Sequence, residues 1–395
     1  MLSNSADSVA FDKVAACEPQ WTGLCLVKDV LQEGSGKVLL HAGPPFGDVQ
    51  RIPVPVMNSL CIGAIYEGWA ADRSAAQELI LSGAVTVAAA QDHDIVVPLA
   101  GVVSPSMQLM IVNDARNPEV RKYSVFNEGM VHCTRLGVMN PGLPRHLSWL
   151  NTEFADWVSK RLQQPMPLLP IISAALADGD DCHGRTMAGS ALIAECLRLQ
   201  STEAVPEDID AFLNESLAFA LNVWMAACSL MMAAAEGVVG SSLITRAGGN
   251  GVDFGVQVAA QPGKWITAAA PAINGAIEPA HEGRTALGAI GDSAVVDFMG
   301  LGGQVLDTAE QSFANLKPYL PEDALARPAK VLSGTIVGFG NRPGATNARS
   351  AAANASSPLI LLGMIEASGE AGRIGGGVVD VPVAFFEKVL GETML

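Results

Sequence analysis

The spacing of apolar residues changes along this chain, from short runs at both ends to a helical period in the middle. In the middle third, apolar residues return every three or four positions, as in a helix that buries one face. The pattern continues over residues 186–199, and a long helix is predicted from Glu207 to Glu236, after Pro206 and before Gly237. The clearest series of apolar positions is Leu147, Leu150, Phe154, Trp157, Val158 and Leu162.

Short apolar runs separated by glycine and proline predict strands in the two flanking thirds. A helix is also predicted near residues 74–83 and another over residues 308–316. The predicted strands lie at residues 37–41, 84–90, 107–113, 252–259, 294–298, 331–337 and 359–364.

This order of elements predicts an α/β protein, with mixed α/β N-terminal and C-terminal regions around a central helical region. We expect three domains. They are an α/β domain over residues 1–140, a helical domain over residues 141–240 and a glycine-rich α/β domain over residues 241–395.

Charged residues make up 16% of the chain and hydrophobic residues 49%. Such a composition supports a large core and argues against disorder. Because the cores of subunit interfaces are depleted in charge, the low charge content also predicts an oligomer or a multi-subunit complex.

The formal net charge is −16. A surface this acidic repels phosphate backbones, so nucleic-acid binding is not expected. A site for a small anionic substrate would need its own arginine, lysine or backbone N–H donors.

A cytoplasmic location without membrane insertion is expected. The seven cysteines are scattered without a CxxC pair, as in reduced proteins, and residues 1–4 lack signal-peptide features. The apolar stretch 217–235 nearly matches a bilayer in length, but Glu215 and Glu236 flank it and basic anchors are missing. We therefore predict a helix buried inside the protein.

The segment 178–186 (DGDDCHGRT) places carboxylates, His183 and Arg185 directly before a predicted helix. Free N–H groups and the dipole at a helix start favour an anion, and Arg185 could bind a carboxylate or phosphate through two hydrogen bonds. His183 could transfer protons. The alternative is a capping aspartate among surface charges.

The segment 245–255 (TRAGGNGVDFG) is the second candidate. Glycines allow backbone N–H groups to converge on an anion, and Arg246 would add positive charge. Neither a P-loop nor a dinucleotide-binding fingerprint is present, and a glycine-rich turn between strands is the alternative. The candidate binding residues here are Arg246, Gly249, Asn250, Gly251 and Asp253.

Weaker candidates lie beside predicted strands. His41 precedes a rigid Gly-Pro-Pro loop, Asn127 and Glu128 could bind an amide, and Asp292 lies in a Gly-Asp-Ser turn. Each also fits an ordinary turn. The histidines lack HxH or HxxxH spacing and GxSxG is absent, so neither a metal site nor covalent catalysis is predicted.

Taken in order, several of these motifs resemble the YlbE-like family. Singly each motif is weak, but the ordered set spans about three quarters of the chain. The matching motifs are HAGPPF, GAIYEG, SPSM, FNEG, DDCHGR, NVWMAAC, NGVDFG, IGDSA and the glycines of residues 300–303.

The resemblance implies a subunit of oxamate carbamoyltransferase in allantoin and purine degradation, working with an FdrA-like subunit and a further subunit. The implied reaction converts oxalurate and phosphate into oxamate and carbamoyl phosphate, and the reverse, without an organic cofactor. The expected catalytic residues are His183, His41 and Glu128. The expected substrate-binding residues are Arg185, Arg246, Gly249, Asn250, Gly251, Asp253, Asn127 and Asp292.

Two other functions remain open from the sequence. A non-catalytic scaffold or ligand-binding subunit would explain the low charge content through a large interface. A stand-alone amide hydrolase would act without phosphate. We further expect Arg185 and Arg246 to converge on one group of small anions.

Overall fold

A computed structural model of the chain describes residues 5–32 and 34–393. Helices and strands alternate in several sheets, which confirms the mixed α/β fold. The division into three domains stays a prediction. Residues 1–4, which entered the prediction of location, lie outside the described residues.

The N-terminal third combines helices with strands, as predicted. Its strand β2 coincides with the predicted strand before His41. The elements are α1 (Ser5–Ala16), β1 (Pro19–Leu26), α2 (Val27–Val30), β2 (Val38–His41), α3 (Val54–Tyr66), α4 (Arg73–Leu81), β3 (Thr86–Ala89), β4 (Ile95–Val96), β5 (Val102–Val103), β6 (Gln108–Asp114) and β7 (Asn117–Val125).

The middle of the chain is helical, and residues 143–233 contain a single short strand. A π turn, Leu150–Phe154, joins its first two helices. The elements are α5 (Leu143–Trp149), α6 (Ala155–Arg161), β8 (Met166–Pro167), α7 (Leu168–Ala177), α8 (Met187–Leu199), α9 (Glu207–Glu215) and α10 (Phe219–Ala233).

The last third returns to strands separated by short helices. They are β9 (Ile244–Asn250), β10 (Asp253–Val258), β11 (Ile266–Ala269), β12 (Asn274–Ile277), β13 (Ile290–Gly291), α11 (Ala294–Met299), α12 (Glu310–Leu316), α13 (Pro328–Val331), β14 (Leu332–Ile336), β15 (Arg342–Thr346), α14 (Ala348–Ala353), β16 (Leu359–Ile365), β17 (Arg373–Asp380) and α15 (Val383–Thr393).

The strands form mainly antiparallel sheets. The five-stranded sheet has the order β4-β7-β6-β1-β8, and a four-stranded sheet has the order β11-β10-β9-β13. Smaller sheets are β3-β2-β5, β12-β17-β16 and β14-β15. The apolar helix α10 packs against strands of both larger sheets and against α11, so it lies in the core that joins them.

The single long helix predicted over residues 207–236 is wrong, because the chain bends by 69° between α9 and α10. At the bend, the Leu217 carbonyl accepts hydrogen bonds from the side chains of Thr186 and Ser190 at 3.1 and 3.0 Å. The Ser190 hydroxyl in turn accepts from the Ala220 N–H at 3.1 Å. Contacts with α8 therefore replace the backbone bonds that a continuous helix would make.

The strand predicted over residues 294–298 is also wrong, because these residues form the buried helix α11. A short apolar run fits a buried helix as well as a buried strand. Gly291 and Gly300 flank α11 with φ values of 117° and 114°, and both turns need glycine.

Among the described helices, none is both long and apolar enough to cross a bilayer by itself. Only α9 and α10 together reach that length and composition, and they are the pair separated by the bend.

Candidate active site

A buried histidine–aspartate pair joins segments 114 residues apart in sequence. Nδ1 of His183 donates a hydrogen bond to Oδ2 of Asp297 at 2.6 Å, and the two side chains are 5% and 0% exposed. The other oxygen of Asp297 accepts from the N–H groups of Gly303 at 2.8 Å and Leu361 at 3.1 Å. Because the carboxylate is fixed in this way, it fixes the orientation of the imidazole ring.

The two groups titrate as one unit. Burial by itself lowers the pKa of His183, but the adjacent Asp297 carboxylate and its hydrogen bond raise that pKa above the ordinary 6.5. Burial raises the pKa of Asp297, while His183 and the two amides act in the opposite direction. A histidine held by a carboxylate in this way can act as a proton donor or acceptor.

The loop that carries His183 is held by Asp181. Oδ1 of Asp181 accepts from the backbone N–H groups of His183 at 2.7 Å and Arg185 at 3.0 Å, and Oδ2 accepts from the Ser312 hydroxyl. Between them, Cys182 adopts a φ of 67°, which non-glycine residues seldom do. The loop is therefore held in a strained conformation that points His183 at Asp297.

Gly302 is required beside the pair. A Cβ at this position would lie 2.2 Å from Oδ1 of Asp297 and 3.1 Å from Cβ of His183. The glycines of residues 300–303 thus allow the chain to pass next to the pair. We did not predict Asp297 as a site residue, and the glycine cluster after it was the signal that could have indicated it.

Arg185 lies two residues after His183, and its side chain is 36% exposed. Nε is 3.8 Å from Oδ1 of Asp180, without a hydrogen bond, and one terminal nitrogen donates to the Met187 sulfur at 3.6 Å. The carboxylate of Asp180 is buried and accepts from the Gly189 N–H at 2.8 Å. Arg185 therefore keeps donors that could bind an anion.

A second group, the glycine junction, consists of Gly43, Gly249, Asn250 and Asp292. Asp292 accepts hydrogen bonds from the Gly43 N–H at 2.8 Å and from Nε2 of Gln91 at 2.6 Å through Oδ1. Nδ2 of Asn250 donates to the Pro44 carbonyl at 2.9 Å, and Gly249 pairs with Gly291. Burial raises the pKa of Asp292 to about 7. Three predicted site residues therefore meet here.

His41 borders the glycine junction, two residues before Gly43. Its Nδ1 donates to the Ala42 carbonyl at 2.7 Å, and its buried Nε2 has no hydrogen-bond partner among the described residues. Burial lowers the pKa of His41 to about 4, so the ring is neutral at pH 7. The ring packs 4.5 Å from that of Phe46.

Gly251 and Asp253 form the turn after the glycine junction. Gly251 has a φ of 87°, and Oδ1 of Asn250 accepts from the N–H groups of Val252 and Asp253 at 3.0 and 2.8 Å. The Asp253 carboxylate pairs with the half-exposed Arg51 at 3.3 Å. These contacts stabilise the hairpin that presents Asn250.

Arg246 belongs to a separate charge network. It pairs with Asp94 at 3.0 Å and with Glu236 at 3.2 Å, and Asp94 also pairs with the buried Lys122. Burial lowers the pKa of Lys122, and the charge of Arg246 adds to that effect. Among the described residues, Arg246 and Arg185 share no hydrogen-bond partner. Their convergence on one anion stays a prediction.

Asn127 and Glu128 are buried in a third group. Nδ2 of Asn127 donates to the Ala218 carbonyl at 3.0 Å and to Oδ1 of Asn222 at 3.1 Å. The Glu128 carboxylate accepts from the Thr134 N–H at 2.8 Å and from its hydroxyl at 2.9 Å. Burial raises the pKa of Glu128, and nearby Arg135 partly offsets this. Asn127 therefore joins distant segments, and Glu128 fixes the nearby backbone at Thr134.

Helix α11 connects the first two groups, because Asp292 lies two residues before its start and Asp297 lies within it. At 1.5 Å per residue, these two residues lie on the order of 8 Å apart along the helix. Within residues 5–32 and 34–393, no cluster of three or more His, Cys, Asp or Glu side chains could hold a metal ion.

Two curated proteins of Escherichia coli (strain K12) are similar to nearly the whole chain. The uncharacterized protein YahG is 28% identical, over 98% of this chain and 88% of its own length. The oxamate carbamoyltransferase subunit AllG is 26% identical, over 98% of this chain and 96% of its own length.

A crystal structure of a conserved protein of unknown function from Enterococcus faecalis V583 has the same fold. Its TM-score is 0.91 at 24% identity, over 99% of this chain and 97% of that one.

The model of the family described as oxamate carbamoyltransferase subunit AllG matches residues 85–293, more than half of the chain. This range includes His183, Arg185 and the glycine junction except Gly43. The chain belongs to the AllG family of oxamate carbamoyltransferase subunits.

Proposed function

We propose that this chain is a subunit of an oxamate carbamoyltransferase-like enzyme of allantoin and purine catabolism. Membership of the AllG family and the similarity to the Escherichia coli subunit support the reaction class. The observation that carries a catalytic role for this chain is the buried pair of His183 and Asp297.

In the proposed reaction, a phosphate oxygen forms a bond to the terminal carbamoyl carbon of oxalurate. The bond from that carbon to the inner nitrogen breaks, and its electron pair stays on the nitrogen. The phosphate loses one proton and the nitrogen gains one. The products are carbamoyl phosphate and oxamate, and the reverse reaction moves the same groups in the opposite direction.

His183 is the proposed proton carrier. Its Nδ1 is occupied by Asp297, and Nε2 makes no hydrogen bond to the described residues. The imidazolium would donate its Nε2 proton to the departing nitrogen, and the neutral ring would accept a proton from oxamate in reverse. The raised pKa supports this role, because it favours the protonated ring that must donate the proton.

Arg185 is the proposed binding group for the carboxylate of oxalurate or for phosphate. It follows His183 by two residues and has donors that its protein neighbours leave free. In a chain of net charge −16, a local guanidinium is needed to bind an anion. A planar carboxylate fits the two parallel N–H groups of arginine.

The proposed enzyme contains an FdrA-like subunit and a further subunit in addition to this chain. The description of the Escherichia coli relative as a subunit supports a multi-subunit assembly. The small share of charged residues fits a large interface. We place the complex in the cytoplasm, in keeping with seven unpaired, scattered cysteines.

The test is to purify the chain together with the products of its neighbouring genes and to measure carbamoyl phosphate formation from oxalurate and phosphate. We expect His183→Gln to reduce kcat by about 100-fold or more, the usual range for loss of a general acid–base group. His281→Gln, in a different segment, is the matched control and should keep full activity.

Each outcome distinguishes the candidate functions. No turnover by the complete wild-type complex would contradict the reaction. Full activity of an assembled His183→Gln complex would indicate a non-catalytic binding or scaffold subunit. Release of ammonia from oxalurate by the isolated chain, without phosphate, would indicate an amide hydrolase.

A further inference from the structure

Arg135 is a buried arginine whose guanidinium has almost no partners. The residue is 8% exposed, and one terminal nitrogen is sealed from solvent with no hydrogen bond to the described residues. Among the same residues, the other terminal nitrogen donates a hydrogen bond only to the Met130 sulfur, at 3.7 Å. Buried charges are normally paired and hydrogen-bonded, because burying an unpaired charge is costly.

The nearby carboxylate of Glu128 does not resolve this shortage. Burial raises the pKa of Glu128, and Arg135 is close enough to lower that pKa in part. The Glu128 oxygens, however, accept hydrogen bonds from Thr134 and from the backbone N–H of Arg135, the latter at 3.4 Å. Within the described residues, the Arg135 guanidinium has no carboxylate within 4.0 Å, the limit for an ion pair. Glu128 thus supplies charge without using the guanidinium donors.

The backbone around Arg135 is held in position. Its carbonyl accepts from the Ala100 N–H at 3.1 Å, and a Cβ at Gly101 would lie 3.6 Å from its own Cβ. The same loop is tied to the glycine junction, because the Val97 N–H donates to Oδ2 of Asp292 at 2.8 Å. The Arg135 guanidinium is therefore carried by fixed backbone, which the segment 97–101 connects to the glycine junction.

Met130, whose sulfur contacts the Arg135 guanidinium, belongs to an apolar segment that is exposed to solvent. Met130 is 51% exposed and Val131 is 72% exposed, although both are large apolar residues. The segment begins at Gly129, whose φ of 82° allows a sharp change of direction. A thioether sulfur is a weak hydrogen-bond acceptor. A stronger acceptor can therefore replace the Met130 sulfur at Arg135 easily, because the segment is exposed.

We propose that Arg135 is the anchor of a binding site for a small oxyanion, which displaces the Met130 sulfur and accepts from the unpartnered guanidinium nitrogens. The ligand class is a carboxylate or a phosphate, because both present two oxygens at the spacing of the arginine donors. The existence of the site follows from the geometry of Arg135. Only the identity of the anion, oxamate or phosphate, rests on the proposed function.

The test measures binding to the purified full chain, without activity. Phosphate and oxamate are titrated separately by calorimetry into the wild type, Arg135→Gln and Arg145→Gln. Arg145 is an exposed arginine on α5 and serves as the matched control. We expect at least one anion to bind the wild type, with affinity at least tenfold lower in Arg135→Gln and unchanged in Arg145→Gln.

A second measurement needs no variant. Phenylglyoxal modification of the wild type, located by mass spectrometry, should be slowed at Arg135 by the bound anion and unaffected at Arg145. Wild-type chain that binds neither anion, or equal binding by a folded Arg135→Gln variant, would overturn the site. Binding through Arg135 in a complex that lacks carbamoyl transfer would leave the site standing and contradict only the proposed reaction.

Discussion

Gly43 lies so close to Gly249 that a Cβ on Gly43 would fall 2.3 Å from the carbonyl carbon of Gly249. The two residues belong to segments that are 206 positions apart in sequence, and their approach brings the loop after His41 against the end of β9. The φ of Gly43 is also 77°, a conformation that side chains disfavour.

We therefore expect Gly43→Ala to lower the free energy of unfolding by about 3 kcal/mol or more, since it combines backbone strain with overpacking. Gly47→Ala is the control in the same loop, because a Cβ there would meet nothing within 4 Å. It should change stability by less than about 0.5 kcal/mol. Urea unfolding of the two variants measures the difference, and equal stabilities would contradict the close packing.

The raised pKa of Asp292 predicts a specific dependence of stability on pH. Its folded pKa of about 7 exceeds the ordinary 3.8, so the folded state holds the proton more tightly. The resulting contribution of Asp292 to the free energy of unfolding is complete below pH 4 and is lost as pH rises through 7. At 1.36 kcal/mol per pKa unit, it is on the order of 4 kcal/mol.

Asp292→Asn should abolish this decline, and urea unfolding between pH 4.5 and 8 would measure it. Asp156→Asn removes an exposed carboxylate and should keep the wild-type slope. Parallel curves for Asp292→Asn and the wild type would show that Asp292 is ionised throughout this range.

The pair of His183 and Asp297 predicts a shifted pH profile. Because the folded pKa of His183 lies above 6.5, the pair stabilises the fold fully below pH 6.5 and less as pH rises through the folded value. Asp297→Asn removes the charge that raises this pKa and leaves burial, which lowers it. We expect the alkaline limb of kcat/KM for carbamoyl phosphate formation, in which the imidazolium is the acid, to move to lower pH.

The measurement is the pH profile of the assembled enzyme, together with titration of the His183 ring by NMR. Asp307→Asn, at a half-exposed carboxylate ten positions further along, should leave both unchanged. An unshifted His183 titration in Asp297→Asn would contradict the coupling of the pair.

Substitution of Arg246 can distinguish its predicted role in anion binding from a structural role. Its side chain is 12% exposed between Asp94 and Glu236, so Arg246→Gln should cost about 1–3 kcal/mol of stability. Arg116→Gln breaks an exposed pair with Glu18 and should cost less than about 1 kcal/mol. Lost anion affinity without lost stability would favour the binding role.

Local sequence patterns were sufficient to predict several of the helices and strands. Strands β2, β10 and β16 and helix α8 lie where alternating or helical apolar spacing and glycine punctuation predicted them. The mixed α/β class followed from their order. The apolar stretch within residues 217–235 was correctly predicted as buried, since α10 lies in the core.

Long-range contacts decided the rest. The segment from Ala294 to Phe298 became part of helix α11 because the surrounding core buries it on every side, and four apolar residues around one aspartate have no clear preference of their own. The break after α9 depends on the hydroxyl groups of Thr186 and Ser190, at the start of α8 and 31 and 27 residues before Leu217.

The sequence by itself determined the mixed α/β class, most of the elements and the burial of the apolar stretch that contains α10, and it indicated the segments that contain His183, Arg185 and Asp292. Only the tertiary structure decided that Asp297 faces His183, that Arg246 is paired and that Arg135 is not. The physical reason is that propensity and spacing act over a few residues, whereas the partners of a buried charge come from whichever segments the fold brings within hydrogen-bond distance.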